Sequence, residues 1–101
     1  MRKLEISQQA QIELIVISAY IKKEWGKVQS EKYLSKLQNT LDLLRESPLV
    51  GIHRKELSKN IYSFPYMSHM IYYHFNNQTL FLMTVLHKNK LPKNHLKEFK
   101  S

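Results

Sequence analysis

Met67-Ser68-His69-Met70-Ile71-Tyr72-Tyr73-His74-Phe75, then Asn76-Asn77-Gln78, then Thr79-Leu80-Phe81-Leu82-Met83-Thr84-Val85-Leu86: this stretch decides the fold. Its two outer runs are dense in β-branched, aromatic and large apolar side chains, which suit a pleated surface. The polar triplet between them reads as a hairpin turn, because asparagine tolerates positive φ. Neither run alternates cleanly between apolar and polar. Both strands are therefore expected in the middle of a sheet, with both faces partly covered. Residues 61–64 form a further short strand candidate, and Pro65 limits how far its ladder runs.

Upstream of Gly51 the apolar period is helical. Ala10, Leu14, Ile17, Ile21 and Trp25 recur at spacings of four, three, four and four. Ile15, Val16 and Ala19 widen that stripe, so this helix is expected to be well buried. Ser7 is placed to cap its start, and Gly26 to stop it, since a left-handed residue costs glycine no steric penalty. A second helix carries Tyr33, Leu37, Leu41 and Leu44 and ends near Ser47, because Pro48 disfavours helical geometry in the residue before it. Two helices joined through one glycine should form an antiparallel hairpin. Residues 2–6 read as a short strand, and Pro92 opens a short terminal helix carrying Leu96 and Phe99. The expected class is α+β, in the order β-α-α-β-β-β. An N-terminal strand joins a small, mostly antiparallel sheet, and the helical hairpin packs on one face of it.

Length and composition narrow the function. The 101 residues suit one domain, 1–101, and the 43% hydrophobic fraction argues against disorder. There are no cysteines, which removes disulfides, thiolate metal sites and cysteine nucleophiles and fits a reducing cytoplasm. No uninterrupted apolar run follows the basic N-terminus, and residues 12–21 are too short to cross a bilayer, so a soluble cytoplasmic protein with no membrane partner is expected. Net charge is +8 and is lopsided: residues 1–50 carry eight Lys/Arg against six Asp/Glu, residues 51–101 eight against two. Such a field favours a polyanion, a nucleic-acid machine or an acidic protein, although a merely solvated basic surface reads the same way.

The residues exclude several chemistries. Five histidines invite a metal site, but no HxH or HExxH spacing occurs, and His69 and His74 point to opposite faces of a regular strand. No metal and no cofactor are expected. With only Gly26 and Gly51 there is no glycine-rich phosphate loop. No helix-turn-helix pattern appears, so direct sequence-specific DNA binding is not expected.

The order of anchors over nearly the whole chain resembles toxins of the RelE/ParE superfamily, on the ParE side. The first helix shows that pattern in Ala10, Glu13-Leu14, Ile17 and Tyr20, followed by Trp25-Gly26. Then come Tyr33, Leu37, Leu44, Pro48, Gly51, Arg54 and Glu56-Leu57. Ser63-Phe64-Pro65-Tyr66 with His69-Met70-Ile71-Tyr72-Tyr73 is similar to the family's central strand entry, and Val85-Leu86-His87 with His95-Leu96 to its C-terminal signature. His74 departs from it, standing where many relatives have arginine, and the segment between His87 and His95 lacks the acidic residue often found there.

This resemblance implies the toxin of a type II toxin–antitoxin module. Its ParE-like target would be DNA gyrase, bound without ordinary enzymatic chemistry. Its partner would be a cognate antitoxin, acidic and with a DNA-binding N-terminus. The implied target-binding residues are Arg54, Lys55, His87, Lys88, Lys90 and Lys93, and the implied antitoxin-binding residues Leu14, Ile17, Tyr20, Tyr33 and Leu37. The alternatives are a RelE-like ribosome-dependent mRNA endonuclease and an inert antitoxin-binding relative. A metal-free ribonuclease needs a proton acceptor, a proton donor and a cation for the phosphate. His87 or His74 would move the proton, Tyr72 or Tyr73 would assist, and Arg54 or Lys55 would hold the phosphate. By strand parity His74 would recruit Tyr72. At a strand end His87 more commonly bonds a backbone carbonyl.

Overall fold

A computed structural model describes residues 1–92 and Leu96. The expected terminal helix, Lys93 and the lysines after it lie outside the described residues. Strand β1 (Lys3–Ile6) leads into α1 (Gln8–Trp25) and α2 (Lys27–Glu46). A 3-10 turn (Pro48–Val50) and a two-residue strand β2 (Ile52–His53) follow, then β3 (Tyr62–Tyr66), β4 (His69–Phe75) and β5 (Thr79–His87). The sheet order is β1-β5-β4-β3-β2; β1 runs parallel to β5 and every other pair is antiparallel.

Local chemistry sets the boundaries. The Ser7 Oγ accepts the Ala10 N–H and so caps α1. Gly26 alone separates the two helices, at a φ of 95° that an L side chain rarely adopts. The Asn76 Oδ1 accepts the Gln78 and Thr79 N–H groups, which builds the β4–β5 turn. Asparagine therefore serves here as a side-chain acceptor and not by taking positive φ, as the sequence suggested. Among the described residues only Met67 is a non-glycine at positive φ, 54°. With Ser68 it forms a tight turn between paired Tyr66 and His69, so β4 starts two residues later than expected. β3 runs on through Pro65, because β2 is too short to pair beyond Ser63 and leaves the proline on an open edge.

Tyr33, Leu37, Leu41 and Leu44 of α2, with Ala10 of α1, pack against Ile71, Tyr73, Leu80, Leu82 and Val85. Each such buried large apolar side chain is worth roughly 1.5–3 kcal/mol. The other face carries a second cluster of Ile61, Tyr72, Met83, Leu86 and Leu96, flanked by Leu57 and Met70. That double coverage is why β4 and β5 fail to alternate. One expectation is corrected. Helix α1 is not well buried, and Ile15, Val16 and Ala19 all lie in solvent, because the sheet and α2 can cover only one side of an outer-layer helix.

Candidate partner-binding groove and the opposite sheet face

Two places gather functional side chains, one on each side of the sheet. On the helix side, α1, the start of α2, the Met67–Ser68 turn and the end of β5 enclose a groove of about 970 Å³. One wall is apolar: Val16 is 62% exposed, Tyr20 57% and Trp25 64%, and the last two rings meet edge to face at 5.8 Å. Exposed aromatic and aliphatic side chains side by side on a helix mark a contact surface. Strained Met67 stands at the rim, and such backbone strain tends to collect at binding sites.

The other end of the groove is polar and basic, lined by His69, His87 and Lys90. His69 faces His87 across the β4–β5 ladder with ring centroids 5.9 Å apart, and its Nδ1 is 3.4 Å from the Tyr33 hydroxyl. Burial, aided by His87, pushes His69 below the ordinary histidine value, so it favours the neutral form. Burial raises the Tyr33 hydroxyl far above its usual range. The Tyr66 hydroxyl donates to the Tyr33 carbonyl at 2.5 Å and fixes α2 over this end of the sheet.

Arg54 organises the opposite face. Its backbone N–H donates to Ile61 O and its carbonyl accepts the Leu57 N–H, closing the loop before β3. The guanidinium Nε bonds Glu56 Oε2 at 2.7 Å, and Nη1 reaches Ser63 Oγ at 3.3 Å and the Tyr72 hydroxyl at 3.4 Å. It also lies over the Tyr72 ring, 5.5 Å from the centroid. The Arg54 bond holds the Glu56 carboxyl below its usual range. His74 stacks on Phe81, 4.6 Å apart and 11° from parallel, and burial lowers its pKa.

The sequence-derived candidates divide accordingly. Arg54 and Tyr72 come together, and His74 lies two residues from Tyr72, on the face the strand parity named. His87 does not join them. It pairs with His69, five positions along β4 from His74 and on the order of 16 Å away. Its Nδ1 accepts the Asn89 N–H at 3.2 Å, whereas a carbonyl contact was expected. Tyr73 is sealed in the core, its hydroxyl donating to Pro48 O. Lys55 and Lys88 are exposed, and Lys90 is on the groove. Among the candidates for the antitoxin, Tyr20 lies open on the groove and Leu14 and Ile17 are half-buried against the core. Tyr33 and Leu37 are each only 3% exposed, and Leu37 lies in the core without a surface to offer. Sequence reasoning missed Val16, Trp25, Met67 and His69 as groove residues. The available signal was the width of the apolar band on α1, broader than one core stripe needs.

Among the described residues no group of three or more His, Asp or Glu is placed to hold a metal ion. No helix is long and apolar enough to cross a membrane among the residues described.

The family model described as ParE toxin of type II toxin–antitoxin system, parDE, matches residues 4–92. Among solved structures the chain is similar to one described as the chromosomal ParDE TA system from P. aeruginosa. The TM-score is 0.72 at 11% sequence identity, over 86% of this chain and 96% of that one. At that identity the likeness speaks for the fold. Nothing among curated proteins matches the sequence.

Proposed function

This chain belongs to the ParE toxin family of type II toxin–antitoxin systems, and from that premise we propose that it arrests growth by binding DNA gyrase, and that a cognate antitoxin neutralises it by covering the α1 groove. The observation that carries the reading is the family match over residues 4–92. Two features support the finer statements. Val16, Tyr20 and Trp25 expose an apolar wall of the kind that takes an amphipathic helix lengthwise. His74 and His87 stand on the order of 16 Å apart, so among the described residues no second histidine joins Arg54 and Tyr72 as an acid–base partner, which weighs toward binding as the toxic act.

Supercoiling by purified gyrase, with and without the full chain, tests the target. Loss of supercoiling at stoichiometric toxin is expected, and unchanged supercoiling at large excess would refute it. For the antitoxin, Tyr20→Ala and Trp25→Ala should each weaken binding at least tenfold in titration calorimetry, about 1.4 kcal/mol or more. Thermal midpoints should move little, because both side chains are largely in solvent.

A second reading rests on the juxtaposition of Arg54, Tyr72 and Ser63 with His74 on the same face. It is ribosome-dependent cleavage of mRNA, with Arg54 on the phosphate and His74 moving the proton. Message cleavage on translating ribosomes that is lost in Arg54→Ala and His74→Ala would establish it in place of the gyrase reading.

A further inference from the structure

Among the described residues the groove has an apolar wall at one end and only basic and neutral polar groups at the other. Every ionisable side chain that faces His69 there among the described residues is basic or a phenol: Tyr33 from α2, Tyr66 from β3, His87 from β5, and Lys90 beyond it. Helix α1 contributes no charged group to the groove, and among the described residues no carboxylate lines it. Two histidines on adjacent strands with a lysine beside them form a cation pair in waiting. His69, half-buried, costs solvation when charged alone, and a carboxylate between the two rings would offset that cost.

We propose that the groove selects its occupant by charge as well as by shape. The occupant is an amphipathic antitoxin segment that seats a carboxylate between His69, His87 and Lys90, so the complex takes up a proton as it forms and tightens as pH falls. This rests on the reading that the antitoxin occupies the groove, and it adds which chemical group anchors the segment and in which direction pH acts. The sign follows from linkage. A carboxylate favours protonated histidine, so the bound state holds more protons than the free state and acid favours binding. A second copy of this chain suits the site less well, since both partners would bring the same net charge of +8.

Trp25 is the chain's one tryptophan and lies on the groove, so its fluorescence reports occupancy in the full chain. The probes are 4-phenylbutyrate, its uncharged amide 4-phenylbutyramide, and the cationic 4-phenylbutylamine. The acid should bind more tightly than the amide and the amine more weakly. The acid's affinity should rise several-fold between about pH 8 and about pH 6, and about tenfold where one histidine gains a full pKa unit on binding. The exposed His87→Gln and Lys90→Gln should each reduce the preference for acid over amide, and His87→Gln should also flatten the pH dependence. Thermal midpoints should stay unchanged in both, since both side chains are exposed, which excludes a merely unfolded variant. Equal binding of acid and amide, affinity independent of pH, or no saturable response to the acid would each overturn the proposal. Purified antitoxin should displace the acid. Acid-selective binding that the antitoxin leaves undisturbed would refute the groove as the antitoxin's seat while leaving the carboxylate anchor intact. Dissociation of a dimer by the acid, seen by sedimentation, would place a second copy there and overturn the partner assignment.

Discussion

Gly51→Ala tests how the helical layer is joined to the sheet. Gly51 has φ −74° and ψ 173°, an ordinary extended conformation, so alanine would meet no backbone strain. What forbids it is space. An added Cβ would fall far inside contact distance of the Tyr73 hydroxyl oxygen, 3.0 Å from Tyr73 Cζ and 2.8 Å from the Ser63 carbonyl oxygen. Tyr73 cannot step aside cheaply. It is fully buried, and its hydroxyl donates to Pro48 O at 2.6 Å, tying the turn after α2 to β4. Burial pushes that hydroxyl's pKa up to about 12, so it remains a donor throughout the physiological range. Forcing a methyl into such a site costs about 1–3 kcal/mol by overpacking. Breaking the buried hydrogen bond adds about 1–3 kcal/mol for the stranded Pro48 carbonyl. We expect Gly51→Ala to lose roughly 2–6 kcal/mol, a large share of the stability of a domain this size. Tyr73→Phe alone removes only the hydrogen bond and should lose roughly 1–3 kcal/mol. Since phenylalanine also lacks the clashing oxygen, the double variant should be less destabilised than the sum by roughly 1–2 kcal/mol. Urea denaturation followed by far-ultraviolet circular dichroism gives all four corners of the cycle, provided the m-value stays constant. Additivity within about 0.5 kcal/mol, or a Gly51→Ala midpoint indistinguishable from the parent, would refute the steric argument.

Glu13 accepts the Thr84 hydroxyl at 2.7 and 2.8 Å and the Val85 N–H at 2.8 Å, substituting for a strand where β5 runs on beyond β1. Glu13→Ala should destabilise by about 1–3 kcal/mol and sharply reduce hydrogen-exchange protection of the Val85 amide. Undiminished protection there would rule out that role. His69 and His74 are both held by burial below the ordinary value of 6.5, so the folded state binds fewer protons than the unfolded chain. Stability is complete above that value and is lost as pH falls through the depressed folded values. The thermal midpoint should drop on acidification from neutral pH, and His74→Gln should shallow that drop. A midpoint flat across the window would contradict it.

How much of this was legible in the sequence depends on whether each feature is local. Ser7, Gly26 and Pro48 act within a turn of their own position, and the helix boundaries follow them closely. The hairpin at Asn76 was legible too, although its mechanism was not, since the side-chain acceptor and a left-handed backbone favour the same residue. Arg54 was named as a cation, but its partner Tyr72 lies eighteen residues on, a contact that only the register of β3 and β4 creates. His87 and His69 could not be paired from the sequence for the same reason, because their contact depends on the β4–β5 register, which the bulge between Tyr72 and Tyr73 shifts along the ladder.

Helix α1 is the instructive case. Ala10, Leu14, Ile17 and Ile21 form one stripe and turn toward the core, as their period requires. Ile12, Ile15, Val16, Tyr20 and Trp25 are as apolar, and pattern alone enrolled Ile15, Val16 and Trp25 in the same core. A helix laid on one face of an open sheet has two contact surfaces at most, the sheet and the neighbouring helix, and here both are already taken by the first stripe. The second group is apolar surface beyond what the fold can cover. The part of that excess on the groove, Val16, Tyr20 and Trp25, stands beside His69, His87 and Lys90 and, among the described residues, beside no carboxylate, which supports the seat and the charge proposed for the partner.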